Sequence, residues 1–127
     1  ADTAAKMATF DVRPPIPALA AKHFSGGNQQ KLVVAREIEQ DPDLLLIGQP
    51  TRGVDIGAIE FIYERLMEMQ AQGCAILMVS VELEEVLSLS DRILVMSNGE
   101  QTGMVNREDA DEKSLGLMMA GIEEDAA

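Results

Sequence analysis

The sequence predicts an α/β fold: a mainly parallel sheet with flanking helices, closed by a C-terminal β-hairpin. Three observations carry this. The runs "LLLI" at 44–47 and "CAILMVS" at 74–80 are continuously apolar, as expected of strands buried on both faces of a parallel sheet. Helical patterns alternate with these runs, which is the signature of strands joined by crossover helices. Asn98-Gly99, between "RILVMS" and "EQTGMV", is the favoured pair for a two-residue hairpin turn because both positions take positive φ.

Taken in order, residues 3–10 read as a short helix. "RPPIPALA" reads as a loop, since Pro14, Pro15 and Pro17 forbid regular pairing. "FSGGNQQKLVVAREIEQ" passes from a Gly-rich opening into a helix on which Val34, Ala35 and Ile38 share a face. "DPD" ends it before the first strand. The next helix spans 56–71 with Ile59, Ile62, Leu66 and Met69 as its inner stripe, and Gly73 stops it. Glu60, Glu64 and Glu68 recur at i+4 spacing; such a row is read as a solvated helix face in preference to a metal site. "ELEEVLSLSD" gives a short acidic helix, the hairpin follows, and a last helix is expected over 107–120, stopping at Gly121. Residues 122–127 read as an acidic, disordered tail. No internal repeat or low-complexity segment is evident.

A chain of 127 residues is one small domain or part of a larger one. Hydrophobic residues make up 46% but aromatics only 3%, so the core is filled by Leu, Ile, Val and the eight Met. A net charge of −12 argues against broad binding of nucleic acid. It leaves room for a local phosphate site, because backbone N–H groups hold phosphate without basic side chains. Cys74 is the single cysteine, which excludes an internal disulfide and suits a reducing compartment; at the head of a buried strand it reads as an inert core thiol. There is no signal-like segment, and no apolar run approaches the roughly 20 residues of a membrane-spanning helix. The chain opens without Met in a helix-like stretch and is read as a soluble, cytoplasmic piece of something longer.

"FSGGNQQ", Phe24 to Gln30, carries the most chemistry. Ser25 is a natural helix cap, and Gly26 and Gly27 leave the N–H groups of the first turn open to a ligand. A terminal phosphate could dock there, with Ser25 and Asn28 adding hydrogen bonds. Ser-Gly-Gly alone fits an ordinary capped helix equally well. The wider pattern favours the phosphate reading. Phe24 to Lys31 resembles the signature motif of ATP-binding cassette (ABC) ATPases, usually Leu-Ser-Gly-Gly-Gln. "LLLIGQPTRGVD" is similar to the Walker B strand and D-loop of that family, and "LMVSVELEEVLSLSDRI" to its switch region. The order and spacing match over residues 10–121, most closely in the second cassette of tandem importer subunits of the nucleoside branch, with ribose, galactose or xylose importers as the near alternative.

The resemblance implies a fragment of the P-loop NTPase fold, with 1–24 ending a helical subdomain and 25–121 forming the C-terminal part of the ATPase core. The phosphate loop GxxxxGK[ST] is absent, and Lys31 belongs to no such loop, so tight ATP binding or hydrolysis by this piece alone is not expected. Gly48 stands where the family has a Mg²⁺-holding Asp, Gln49 where it has a general-base Glu, and Val81 where it has a γ-phosphate-contacting His. No catalytic residue and no metal ligand is therefore assigned. Glu82, beside Val81, is not promoted to a substitute base, and His23 reads as a loop residue without a catalytic role.

In the family two cassettes pair head to tail, each ATP lying between one cassette's Walker A and the other's signature. By resemblance, Ser25, Gly26, Gly27, Asn28 and Gln29 face ATP, with Mg²⁺, held by a partner cassette. Arg52, Gly53 and Asp55 form the D-loop at the interface, Asp55 doubling as the cap of the helix at 56. The implied partners are that cassette, membrane permease subunits and, indirectly, a substrate-binding protein, on the inner face of the membrane; no nucleic acid is expected. An uncovered sheet edge invites a homodimer of the piece itself. A DNA-maintenance ATPase with the same signature would carry basic surfaces and coiled-coil arms, which the charge and the lack of heptads oppose. A purely structural domain is opposed by "SGGNQQ", on the expectation that a structural helix start has no use for two glycines.

Overall fold

Among the described residues, buried apolar side chains lie in each of the two units into which the chain divides, Ala1–Val79 and Ser80–Ala127. The computed structural model describes residues 2–122.

In the first unit, α1 (Asp2–Thr9) precedes the Pro-rich loop, and α2 (Gly26–Ile38) begins at the Ser25 cap. Met7, Phe10, Val12 and Phe24 form one core cluster, with Leu19, Leu32, Ala35, Ile38 and Phe61 packed around it. All three phenylalanines of the chain lie in this cluster. The rings of Phe10 and Phe61 meet edge-on, 6.3 Å between centroids at 68°, the geometry their quadrupoles favour.

β1 (Leu44–Gly48), α3 (Ile56–Ala71) and β2 (Ala75–Val79) form a β-α-β crossover with parallel register, Leu44 opposite Ala75 and Gly48 opposite Val79. Asp55 caps α3 and Gly73, at φ +99°, ends it. The buried stripe of α3 is Ala58, Ile62, Leu66 and Met69, while Ile59 is only half-buried. Ala58 takes the place expected of Ile59 because it faces Gly27 of α2, where the two helices approach too closely for a larger side chain. Glu60, Glu64 and Glu68 are exposed, as a solvated face requires, and Glu68 pairs with Arg65 at 2.7 Å.

The strands correct one expectation. They are not buried on both faces: Leu45 is buried, but Leu46 is 67% and Val79 63% exposed, and Leu44 and Leu77 are exposed too. Successive side chains point to opposite faces of a strand, and among the described residues of this unit only one face is covered. Cys74 is accordingly half-buried and not a core thiol.

In the second unit, α4 (Leu83–Leu89) leads into the antiparallel hairpin of β3 (Arg92–Ser97) and β4 (Glu100–Asn106). The turn is the expected pair, Asn98 at φ +51° and Gly99 at φ +83°. Ile93 and Val95 pack with Leu115 of α5 (Glu112–Met119), and Leu83, Val86, Leu87 and Val105 surround them. The last helix thus starts later than the expected 107: Arg107–Asp109 is a short 3-10 turn. Asp111 then caps α5 by accepting the Ser114 N–H at 2.9 Å, and such a cap sets a helix start that periodicity does not reveal. Gly121, at φ +72°, ends the helix. The acidic residues from 123 onward, expected as a tail, lie outside the described residues.

Candidate functional site

The site is built where the start of α2 meets the loop between β1 and α3. Ser25 is extended (φ −60°, ψ 159°) and its Oγ accepts the Asn28 N–H at 3.4 Å and Asn28 Nδ2 at 2.9 Å. Asn28 Oδ1 accepts the main-chain N–H of Arg13 at 2.7 Å. Gln29 Nε2 donates to the Phe24 carbonyl at 2.8 Å, folding that side chain back on the turn. Ser25 and Gly26 are exposed, and helix geometry leaves the first-turn N–H groups of Gly26 and Gly27 without intrahelical acceptors. Gly27 is buried, so the exposed turn offers the Ser25 hydroxyl, the Gly26 N–H and the positive end of a helix dipole to an anionic oxygen.

The two glycines also have a packing role, which the sequence reading did not anticipate. A Cβ on Gly26 would stand 3.2 Å from the Gly53 carbonyl oxygen, and one on Gly27 2.8 Å from Asp55 Oδ2 and 3.1 Å from the Ala58 Cβ. The turn at Gly26 and Gly27 lies directly on the loop at 53–58. The expectation that a structural helix start has no use for two glycines is thus wrong: here close approach to the loop favours them. Their presence cannot on its own argue for a ligand.

The loop itself is a series of turns anchored by Pro50 and Thr51, both buried. The Gln49 N–H continues the ladder to the Val79 carbonyl at 2.8 Å, after which Gln49 turns at φ +50°. Arg52 N–H donates to the Gln49 carbonyl (3.2 Å) and Val54 N–H to that of Thr51 (3.2 Å). Gly53, at φ +73°, occupies the left-handed region open to glycine, while Arg52 is exposed. Asp55 Oδ1 accepts the Ala58 N–H at 3.0 Å, so its capping role is met.

Gly48 differs from the other glycines of the site. It ends β1, is exposed, has no positive φ, and a Cβ on it would meet nothing within 4 Å. Neither crowding nor backbone conformation requires glycine there. With no side-chain oxygen at 48 and a neutral amide at 49, these positions do not fit a magnesium ion, and among the described residues no cluster of His, Cys, Asp or Glu could hold a metal. Val81 belongs to the second unit, exposed in the bend before α4, where the Glu82 N–H donates to Ser80 Oγ at 3.0 Å. His23 is exposed in the short 3-10 turn Ala21–His23. Among the described residues no helix is long and apolar enough to cross a membrane.

Sequence reasoning missed Lys31. It is buried, and its Nζ donates to both the carbonyl (3.1 Å) and Oδ2 (3.0 Å) of Asp11 while lying 4.9 Å from the Phe61 ring centroid. Asp11 Oδ1 also accepts Arg13 Nε at 2.8 Å. These bonds, Lys31's first, hold the Asp11 carboxyl below its ordinary value. The available signal was a lysine in register with the buried stripe of α2, three residues before Val34 and seven before Ile38. Its partner, twenty residues upstream, had no spacing to announce it.

No protein-family model matches the chain. Among curated proteins, the nucleoside import ATP-binding protein NupA of Lactococcus lactis subsp. cremoris is 48% identical over 115 residues, 91% of this chain and 23% of that protein. The guanosine import ATP-binding protein NupO of Bacillus subtilis is 50% identical over 112 residues, 88% of this chain and 22% of that protein. The ribose import ATP-binding protein RbsA of Clostridium perfringens is 45% identical over 113 residues, 89% and 23% respectively. The chain spans less than a quarter of the length of these relatives. In fold it is similar to an ATP binding subunit of an ABC transporter, with a TM-score of 0.77 at 22% identity over 91% of this chain and 52% of that one. It is also similar to the dimeric post-hydrolysis state of the ATP-binding cassette MJ0796 bound to ADP and Pi, with a TM-score of 0.72 at 21% identity over 81% and 44%.

Proposed function

The chain is homologous to the ATP-binding proteins of nucleoside and sugar importers and has the fold of an ABC ATPase cassette, and from that premise we propose that it is the signature-bearing C-terminal half of a second, degenerate cassette. In this reading residues 1–24 end the helical subdomain and 25–121 complete the ATPase core. Ser25 to Gln29 face the terminal phosphate of ATP held by a partner cassette. The observation that carries the reading is the exposed start of α2, formed by Ser25 and Gly26.

ATP is the nucleotide, and this chain's part is to bind and orient its outer phosphate through backbone donors and the Ser25 hydroxyl. Positions 48 and 49 supply neither metal ligand nor base, so no proton or metal step is assigned to them. The dimeric cassette with the same fold supports a partner cassette, and the import relatives support permease subunits; a substrate-binding protein and a place on the inner face of the membrane belong to the same proposal. A nucleoside is the preferred cargo, and the ribose relative favours a monosaccharide as the alternative.

The test is steady-state ATPase of the full-length protein with Ser25→Arg. A bulky cation over the first turn would block phosphate docking and remove most activity; activity left intact would sink the in-trans reading. Sequencing upstream of residue 1 supplies a second check, since a first cassette with the Asp-Glu pair intact is expected there.

A further inference from the structure

We propose that Asp11 and Lys31 are positioning residues for the Ser25 hydroxyl, acting through Arg13 and Asn28. The inference rests on the reading of Ser25 as a phosphate donor and adds what aims it.

A hydroxyl has one proton to donate and two lone pairs to accept with. Both acceptor positions of Ser25 Oγ are taken by Asn28, through its N–H (3.4 Å) and its Nδ2 (2.9 Å). The proton of Ser25 is therefore directed away from Asn28, to the exposed side of the turn. This depends on which way the Asn28 amide faces, and Arg13 decides that. The Arg13 N–H can be satisfied only by an oxygen, so Oδ1 must point to it (2.7 Å) and Nδ2 to Ser25. With the amide reversed, two donors would oppose each other at Arg13, and Oδ1 would draw the serine proton inward.

The Arg13 N–H is in turn held in place from the core. Lys31, on the second turn of α2, grips the carbonyl and the carboxylate of Asp11 together. Asp11 reverses the chain at φ +47°, and its other carboxylate oxygen holds Arg13 Nε. Phe61 closes over the ammonium at 4.9 Å. A charged group so buried, with two bonds to one distant residue, fixes residues 11–13 against α2 and so sets the distance from Arg13 to Asn28.

The test compares Asp11→Ala, Asp11→Asn, Lys31→Met, Lys31→Arg and Ser25→Arg in the full-length protein, each assayed for kcat and for KM of ATP below its melting temperature. Asp11→Ala and Lys31→Met are expected to lower kcat about tenfold, the scale of a misaimed catalytic contact, with KM within about twofold because ATP is held by the other cassette. Lys31→Arg, keeping charge and donors, is expected to restore most of the kcat. Should Lys31→Met not fold, the Asp11 pair decides, since its side chain is 46% exposed. If Ser25→Arg is inactive while both Asp11 variants keep wild-type kcat, the positioning role fails and the proposed function stands. If Ser25→Arg is itself active, the proposed function fails.

Discussion

A Cβ on Gly27 would stand 2.8 Å from Oδ2 of Asp55, the residue whose Oδ1 caps α3 by accepting the Ala58 N–H at 3.0 Å. The first turn of one helix thus rests on the cap of the next. Gly27→Ala is expected to destabilise by about 1–3 kcal/mol through overpacking, and Asp55→Ala by about 1 kcal/mol through loss of the cap. Because the alanine at 55 removes the atom that Gly27→Ala would strike, the double variant should cost less than the sum. Denaturant titration of the four proteins measures the coupling, and strict additivity would mean the two residues do not meet.

Gly48 has open space where a side chain would go. Gly48→Asp is therefore expected to change stability by no more than about 0.5 kcal/mol, as for a surface substitution. On the proposed reading, in which the working site lies on the partner cassette, adding Gln49→Glu and Val81→His is expected to leave ATPase of the full-length protein within about twofold. A large gain would overturn that reading.

Asp11 gives the stability a pH dependence. Its carboxyl is held below 3.8 by the Lys31 hydrogen bond and then by Arg13, so the folded state takes up a proton less readily than the unfolded one. The contribution is fully present above about pH 4 and is lost as pH falls through the lower folded value. Asp111, lowered by its bond from the Ser114 N–H, behaves alike. Urea denaturation between about pH 4 and pH 2 should show a shallower loss for Asp11→Asn than for the wild type; identical slopes would remove Asp11 from the account.

At the hairpin turn, Gly99 sits at φ +83°. Gly99→Ala is expected to cost about 1 kcal/mol or more, since alanine is strained there, whereas Asn98→Gly should be nearly neutral. Thermal melting of the two variants ranks them, and the reverse order would contradict the turn.

Much of the chain was legible because its signals are local. Ser25 and Asp55 announce helix starts, Gly73 and Gly121 helix ends, and Asn98-Gly99 a turn; each acts through bonds within a few residues of itself. The signature-like and D-loop-like segments were assigned differently, by the resemblance of short runs of residues to a known family. The start of α5 was missed because 107–120 looks continuously helical until the Asp111 cap is seen.

What spacing could not convey depends on segments far apart in the chain. That Gly26 and Gly27 serve close packing follows from loop 53–58 lying on them. That Lys31 is buried follows from Asp11, twenty residues earlier, being folded back to meet its charge. The apolar runs foretold strands, but which of their faces is covered depends on what packs there, and Leu46 and Leu77 remain exposed. Residue order writes the local hydrogen bonds, the absent side chain at Gly48 and the neutral amide at Gln49. Only folding decides which distant groups share a surface, because burial and the pairing of charge depend on neighbours in space.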